Sequence, residues 1–300
     1  MEVNEFARAV IAGLKEMLGD NYIIEQKEVL KNNSCMRQGI QIKHIDGNIA
    51  PVIYVDDFYR AYVNGAIDVE TAARKCFEIF RENEISSADM GYVMDFEKIR
   101  KDISYKVINF EENSKLLENL VYSRFMDLAV VYFINVNDVP KAGKGSIMIK
   151  KEYLKTWGVK KKDVSDAAIE NSRNEGYYIR NIFDLIIDMK QDAGFEMFRK
   201  EPRGESGSVF VLSNNESIYG AKIIYEVDKL EKIAEKLGER FYILPSSVHE
   251  LILIKDDGIC ELEHLKDMVH EVNRTVVMPE EVLSDNVYVY DNTIKSVSIA

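Results

Sequence analysis

The chain has 300 residues, with 39 basic and 51 acidic side chains that give it a formal net charge of −12. Its hydrophobic fraction of 46% and charged fraction of 30% are typical of a soluble globular protein. The longest unbroken apolar stretch, residues 128–134, is far shorter than the ~20 residues that cross a bilayer. These features exclude a membrane-spanning protein, a collagen, a coiled coil and a disulfide-rich miniprotein, and we expect no membrane partner.

The cysteine content indicates the compartment. Cys35, Cys76 and Cys260 are few, odd in number and widely spaced, which favours a reducing cytoplasm over an oxidised secreted scaffold. The first residues, MEVNEFARAVIAGL, have no basic leader before their short apolar stretch, so no secretory signal is predicted. We therefore expect a cytoplasmic protein.

The first predicted element is an amphipathic helix at residues 4–18. Phe6, Val10 and Leu14 recur once per turn, and Gly19 follows the last turn. Hydrophobic spacing then predicts strands and helices in alternation through the rest of the first half. The strands fall at residues 22–30, 39–45, 49–55 and 128–136, and the helices at residues 68–80, 96–103 and 116–121.

The second half continues the same mixed pattern, with a glycine-rich turn at residues 140–145 and a loop at residues 201–208. Its predicted strands fall at residues 146–149, 209–212, 241–244, 248–254 and 287–290. Its predicted helices fall at residues 152–157, 164–173, 178–191, 227–237, 262–272 and 279–281. Because antiparallel hairpins recur and no fixed-period repeat is present, we predict an α+β fold of mixed, largely antiparallel sheets with packed helices.

A polar stretch near residues 109–113 is typical of a linker. We therefore predict an N-terminal α+β domain at residues 1–112 and a C-terminal α+β domain at residues 113–291, followed by a frayed tail at residues 292–300.

Three short motifs resemble known catalytic signatures but lack their context. YVDD at residues 54–57 spells a reverse-transcriptase tetrapeptide, yet too little chain precedes it to supply a polymerase palm. GESGS at residues 204–208 misses the last glycine of a nucleophile elbow and follows no apolar strand. GKGS at residues 143–146 lacks the glycine spacing of a phosphate-binding loop. We interpret them as a helix start, a loop and a turn.

The chemically richest segment is a polar cluster at the end of a predicted strand. It contains two hydroxyls, an imidazole and a carboxylate, in Ser246, Ser247, His249 and Glu250. One interpretation is a serine nucleophile with His249 as its base. The other is a buried histidine that a neighbouring serine satisfies by a hydrogen bond. Sequence shows neither an oriented base nor an oxyanion hole, so both interpretations stay open.

No metal site or cofactor is predicted. His249, His264 and His270 could in principle gather around an ion with nearby acids. However, no HExxH or CxxC spacing supports such a site.

A run of lysines departs from the acidic average of the chain. Residues 141–162 contain eight lysines against Glu152 alone, with Tyr153 and Trp157 among them. Cations interleaved with aromatic rings can hold a nucleic-acid strand, whereas the alternative is a solvated face. The candidate binding residues are Lys144, Lys151, Lys155, Trp157, Lys160 and Lys161, to which Asn273 and Arg274 are added from a later helix end.

Several stretches distributed over most of the chain carry a resemblance. The most specific are FYILPSSVHE at residues 241–250 and VNRTV at residues 272–276. The others are PVIY at 51–54, FY at 58–59, Gly65, IN at 108–109, FMDLA at 125–129, WG at 157–158, YGA at 219–221, Glu281 and YVY at 288–290. Together they resemble an uncharacterised domain-of-unknown-function family of anaerobic Gram-positive bacteria. The resemblance implies a bacterial cytoplasmic protein and supplies no catalytic residue.

The leading hypothesis is a non-enzymatic binding or regulatory module that contacts another macromolecule. A protein partner or a second copy of the chain fits this hypothesis best, and residues 141–162 leave nucleic acid open. The alternative is a hydrolase-like enzyme that uses the cluster at residues 246–250.

Overall fold

The computed structural model of the chain describes residues 1–46, 51–82, 92–136, 145–182, 184, 209–258 and 261–300. Its N-terminal part packs helices against a three-stranded antiparallel sheet of order β1-β2-β3. The helices are α1 (Val3–Leu18), α2 (Asp56–Val63) and α3 (Val69–Glu82), and the strands are β1 (Tyr22–Leu30), β2 (Met36–His44) and β3 (Val52–Tyr54).

The predicted amphipathic pattern of α1 is confirmed. Phe6, Val10 and Leu14 are fully buried on one face of the helix, and Gly19 ends it with a φ of 72°. Gly13 allows α3 to approach closely, since a Cβ atom there would lie 2.9 Å from that of Ala73. The first apolar core therefore lies between α1, α3 and the sheet.

The remaining described residues form two further sheets. One joins β4 (Ile103–Asn109), β5 (Tyr122–Phe125) and β7 (Gly145–Met148) to the central strand β6 (Leu128–Val136). The other has six strands in the order β13-β12-β10-β11-β9-β8. These are β8 (Tyr177–Asn181), β9 (Val209–Asn214), β10 (Arg240–Pro245), β11 (Leu251–Lys255), β12 (Tyr288–Asp291) and β13 (Ser296–Ile299). The helices are α4 (Phe96–Ile99), α5 (Ser114–Leu117), α6 (Lys151–Trp157), α7 (Lys161–Arg173), α8 (Val227–Leu237) and α9 (Leu262–Thr275).

Strand β6 is buried on both faces, as its continuous apolar run predicts. Leu128, Val130 and Tyr132 enter the large C-terminal core, whereas Ala129 and Val131 enter a smaller cluster on the opposite face. All the described strand pairs are antiparallel, so the predicted α+β class is confirmed.

The predicted helix at residues 178–191 is wrong at its start. Tyr177–Asn181 forms β8, which pairs with β9 at the edge of the six-stranded sheet. Aromatic and β-branched residues favour a strand wherever a partner strand is available. Residues 183 and 185–191 lie outside the described part of the chain, as do the predicted loop at 201–208 and Lys144.

Several other element boundaries differ from the prediction. Strand β11 begins at Leu251, because residues 246–250 form a turn. The predicted helix at 279–281 is a turn, the helix predicted at 116–121 ends at Leu117, and β4 begins where the helix at 96–103 was predicted to end. The tail is not frayed at residues 296–299, since β13 pairs there with β12.

The predicted domain boundary at residue 112 separates β4 from β6, yet these two strands pair along the whole of β4. The buried residues of the first apolar core run only from Phe6 to Phe80, and those of the C-terminal core run from Val93 to Val297. The division into domains stays a prediction. We call residues 1–82 the N-terminal unit and residues 92–300 the C-terminal unit. In neither unit does a described helix have the length and apolar composition needed to cross a bilayer.

Candidate functional site

The tip of the β1–β2 hairpin docks into the C-terminal unit. Asn33, with a left-handed backbone (φ 56°, ψ 40°), donates hydrogen bonds to the carbonyls of Pro279 (2.8 Å) and Val282 (2.6 Å). Its neighbour Asn32 donates to the carbonyl of Glu280 at 2.7 Å. Asparagine tolerates the left-handed region better than most residues, so the sequence suits this turn.

An ion pair reinforces the contact between the units. Arg37 on β2 donates to both carboxylate oxygens of Glu280, with Nε 3.1 Å from Oε2. This hydrogen bonding lowers the pKa of Glu280 and raises the pKa of Arg37. Because both side chains are largely buried, solvent and salt weaken the attraction between them less than in a surface pair.

A cleft of about 320 Å³ lies between the docked tip and the C-terminal unit. This volume falls within the range of small-ligand sites. Its lining residues are Lys31, Asn32, Arg37, Tyr54, Asp57, Lys106, Ile108, Tyr219, Val248, His249, Glu280 and Glu281. Both units therefore contribute to the site.

Two lysine ammonium groups face this cleft from opposite units. Lys31 Nζ lies 4.0 Å from the ring centroid of Tyr54, and Lys106 Nζ lies 4.4 Å from that of Tyr219. Neither ammonium forms an ion pair or a side-chain hydrogen bond with any described residue. Burial, and to a lesser extent the charge of Lys31, lowers the pKa of Lys106 to about 8. The cleft thus presents two cations that form no direct ion pair with a described residue, although the carboxylates of Asp57, Glu280 and Glu281 also line it.

Tyr219 is held in an unusual backbone conformation beneath Lys106. Its φ of 57° is left-handed, and its N–H donates to Nδ1 of His249 at 3.2 Å. The two rings stack at 14° with centroids 5.4 Å apart. The next residue must be glycine, because a Cβ on Gly220 would lie 2.6 Å from both the Asn214 nitrogen and the His249 carbonyl oxygen. A strained residue that the surroundings hold in place indicates a functional position.

Both ring nitrogens of His249 are engaged. Nδ1 accepts from the Tyr219 N–H, and Nε2 lies 3.6 Å from Oε1 of Glu281. An imidazole that accepts at Nδ1 carries its proton on Nε2, which faces the carboxylate. His249 therefore orients Tyr219.

The predicted catalytic cluster assembles differently from a nucleophile and its base. Ser247 Oγ accepts the backbone N–H of His249 at 3.0 Å, and Ser246 Oγ donates to Glu250 at 3.3 Å. The polar neighbours of the imidazole nitrogens are instead the Tyr219 N–H and the Glu281 carboxylate. Only His249 of the four predicted residues lines the cleft.

The structure disperses much of the predicted lysine surface. Trp157 donates to the Val93 carbonyl at 3.0 Å and packs against Phe96, so its ring belongs to the core. Lys151 donates to two main-chain carbonyls, and Lys161 donates to the carbonyl of Tyr122. The exposed side chains of Lys155 and Lys160 form no ion pair within the described residues.

Asn273 and Arg274 lie at the end of α9. Asn273 donates to the Ser284 carbonyl at 2.9 Å and to Asp285 Oδ1 at 2.8 Å, which anchors the following turn. Arg274 is exposed. Neither residue lines the cleft.

Tyr219 also lines a second cavity of about 540 Å³, whose buried cation is already neutralised. Lys222 there is 3% exposed and lies 2.5 Å from the Glu175 carboxylate. In the described chain, no group of three or more His, Cys, Asp or Glu residues is arranged to hold a metal. The cleft that Lys31 and Lys106 line is therefore the candidate site.

Sequence reasoning missed Lys31 and Lys106. A signal for Lys106 is present, since the residue interrupts the apolar strand β4 between Tyr105 and Val107. Lysine is rare in buried strands unless it is paired or functional. Lys31 gives no such signal, because its position depends on docking between units distant in sequence.

Comparison with known proteins gives a family but no function. The model of a family of unknown function, DUF5688, matches residues 3–292. No curated protein matches the chain. No solved structure matches it either.

Proposed function

Because the chain belongs to the DUF5688 family, whose function is unknown, we propose a function from its cleft: it is a binding protein for a small anionic ligand. The observation that carries the proposal is the pair of ammonium groups on Lys31 and Lys106, which line one cleft and form no direct ion pair with any residue that the structure describes. An anion bound between two nearby cations offsets their mutual repulsion by its attraction to both. A carboxylate or phosphate supplies that charge and accepts hydrogen bonds from both ammonium groups.

Isothermal titration calorimetry with lactate and inorganic phosphate tests this proposal, with sodium chloride at matched ionic strength as the blank. We expect saturable binding by the wild-type protein that Lys31→Met weakens by about tenfold or more, the loss of one charge-assisted hydrogen bond. Lys101→Met is the matched control, because Lys101 is an exposed neighbour of β4 outside the cleft. Equal binding by the wild-type protein and a variant lacking both Lys31 and Lys106 would contradict the proposal.

The hydrolase alternative has less support from the geometry. It requires His249 to accept a proton from Ser246 or Ser247, but Nδ1 already accepts the Tyr219 N–H and Nε2 faces Glu281. Labelling by a fluorophosphonate, lost in Ser246→Ala or Ser247→Ala, would restore this alternative. An unlabelled wild-type protein would remove it.

A macromolecular partner remains a second proposal for a different surface. Two exposed cations lie close to the junction of α6 and α7: Lys155 is in the last turn of α6, and Lys160 directly precedes α7. We propose that they bind an acidic partner. Charge reversal at Lys160 and Lys161 should abolish capture of such a partner from host extract. Unchanged capture by the doubly reversed protein would argue against this surface.

A further inference from the structure

We propose that the Lys106 amine is the covalent attachment point for a 2-oxo acid, with which it forms a Schiff base while Lys31 holds the adjacent carboxylate. This inference rests on the proposed function, because it assigns the ligand class of the same cleft. It adds a bond that simple anion binding does not need.

The surroundings of Lys106 are those of a nucleophilic amine. Its ammonium is half-buried over the ring of Tyr219, faces a second cation on Lys31 and has no carboxylate partner in the described chain. Desolvation and a neighbouring cation are the two devices that keep a lysine partly neutral near pH 7. Lys222 provides the contrast, since its ammonium is more deeply buried but paired with Glu175.

The lowered pKa of Lys106 supports the same conclusion. With a pKa of about 8, roughly a tenth of Lys106 is neutral at pH 7, against well under a thousandth of an ordinary lysine. Only the neutral amine has a lone pair to attack a carbonyl carbon. Lys106 therefore has on the order of a hundredfold more reactive amine than an ordinary lysine at that pH.

The ligand class follows from the presence of both lysines in the lining of one cleft. A carbonyl next to a carboxylate presents an electrophilic carbon to one amine and an anion to the adjacent ammonium. The volume of about 320 Å³ suits a molecule of that size. The ring of Tyr219 lies directly beneath the Lys106 amine. This ring is held in place because His249 contacts both the backbone and the ring of Tyr219.

The reaction needs no oxidant or further reactant. The Nζ lone pair forms a bond to the carbonyl carbon, and the oxygen takes up a proton to give a carbinolamine. The nitrogen then forms a second bond to this carbon as the oxygen leaves with another proton. The two hydrogens of the amine thus depart with the oxygen as water, and the product is an imine.

The test combines reductive trapping with calorimetry on the full chain. The protein is incubated with pyruvate or 2-oxoglutarate and sodium borohydride, which delivers hydride to the imine carbon and makes the link permanent. Peptide mass spectrometry then locates the adduct. Lactate is the matched ligand, since it carries the carboxylate without the carbonyl.

We expect the adduct on Lys106 with pyruvate or 2-oxoglutarate and none with lactate. Lys106 should be labelled on the order of tenfold or more above the exposed Lys101, because its lowered pKa leaves more of its amine neutral than in an ordinary lysine. Lys106→Arg keeps the positive charge and should lose the adduct, and Lys31→Met should lower its yield through weaker binding. Lys101→Met should be labelled like the wild-type protein.

Three results would overturn the inference. Absence of an adduct while calorimetry shows pyruvate and lactate binding would refute the covalent step and leave the proposed function standing. Labelling spread evenly over exposed lysines would refute the special reactivity of Lys106. Absence of both binding and trapping would defeat the proposed function together with the inference.

Discussion

The imidazole of His249 supports Tyr219 at two points, as a hydrogen-bond acceptor for its backbone N–H and as a stacking partner for its ring. The first contact stabilises a left-handed backbone, and the second fixes the ring beneath the Lys106 ammonium. His249 therefore acts on the cleft through Tyr219 as a positioning residue.

Substitutions at His249 should separate these two contacts. His249→Phe retains stacking but leaves the Tyr219 N–H without its acceptor, so we expect a loss of about 1–2 kcal/mol in the free energy of unfolding. His249→Ala removes both contacts and should lose more. Urea unfolding followed by circular dichroism measures this, with the exposed His264→Ala as control. Equal stability of all three variants would contradict the role of His249.

Gly220 should not tolerate alanine. The new Cβ would lie 2.1 Å from Ser213 Oγ and 2.6 Å from the Asn214 backbone nitrogen, which cannot move without breaking β9. We expect Gly220→Ala to lower the free energy of unfolding by roughly 2–4 kcal/mol. Gly145→Ala is the control, since its nearest neighbour would be at an ordinary 3.6 Å. Equal effects of the two substitutions in thermal unfolding would refute the close approach at Gly220.

The stability of the protein should rise with pH as Lys106 loses its proton. The lowered pKa of about 8 means that the folded state releases this proton before the unfolded state does near 10.5. The free energy of unfolding therefore rises as the pH increases from about 8 to 10.5. Near pH 7 the buried charge is still present, so Lys106→Met should be about 1–2 kcal/mol more stable than the wild-type protein.

The measurement is urea unfolding of the wild-type protein and Lys106→Met over the interval from pH 8 to pH 10.5. The difference between them should shrink as pH rises, and a constant difference would contradict the prediction. The other charged or titratable groups lining the cleft are Lys31, Arg37, Tyr54, Asp57, Tyr219, His249, Glu280 and Glu281, and the comparison cancels those that both proteins share.

Glu280 should stabilise the docked hairpin tip except in acid. Its pKa is lowered by the hydrogen bond from Arg37, so its contribution is present above the ordinary value of 4.5 and lost as pH falls through the folded value. Glu280→Gln should cost about 1 kcal/mol at neutral pH and nothing once the wild-type carboxylate is protonated.

Chemical unfolding at neutral and acidic pH checks the Glu280 prediction. Glu70→Gln, in an exposed pair with Arg74, should change stability by less than about 0.5 kcal/mol. If Glu280→Gln lowered the free energy of unfolding by the same amount at neutral and acidic pH, the charge of the Glu280 carboxylate would not stabilise the contact between the units.

Hydrophobic periodicity correctly predicts elements with one clearly apolar face or with an unbroken apolar run. The face of α1 that carries Phe6 and Leu14 and the apolar run of β6 both lie where their patterns place them. The helix prediction is wrong at residues 178–181 because the same apolar spacing suits a helix or an edge strand. Only the presence of the neighbouring strand β9 selects the strand. Element type thus depends on a partner that one segment does not reveal.

The site is predicted less well, for a similar reason. The sequence directs attention to His249 through its polar neighbours, although its contacts are with Tyr219 and Glu281. Lys31 and Lys106 are far apart in the chain and line one cleft only because the hairpin tip docks beside β4. The polar cluster at residues 246–250 satisfies its own turn instead.

The docking of the hairpin tip also constrains how the protein is made. Asn32 and Glu280 are 248 residues apart in the chain, so a ribosome completes the tip long before its docking partner emerges. Closing a contact over so many residues belongs to the last stage of folding, after the N-terminal unit can form its own core. The proposed ligand cleft therefore forms only after residue 281 has been synthesised, and a translation product that stops earlier carries Lys31 and Lys106 without the complete cleft.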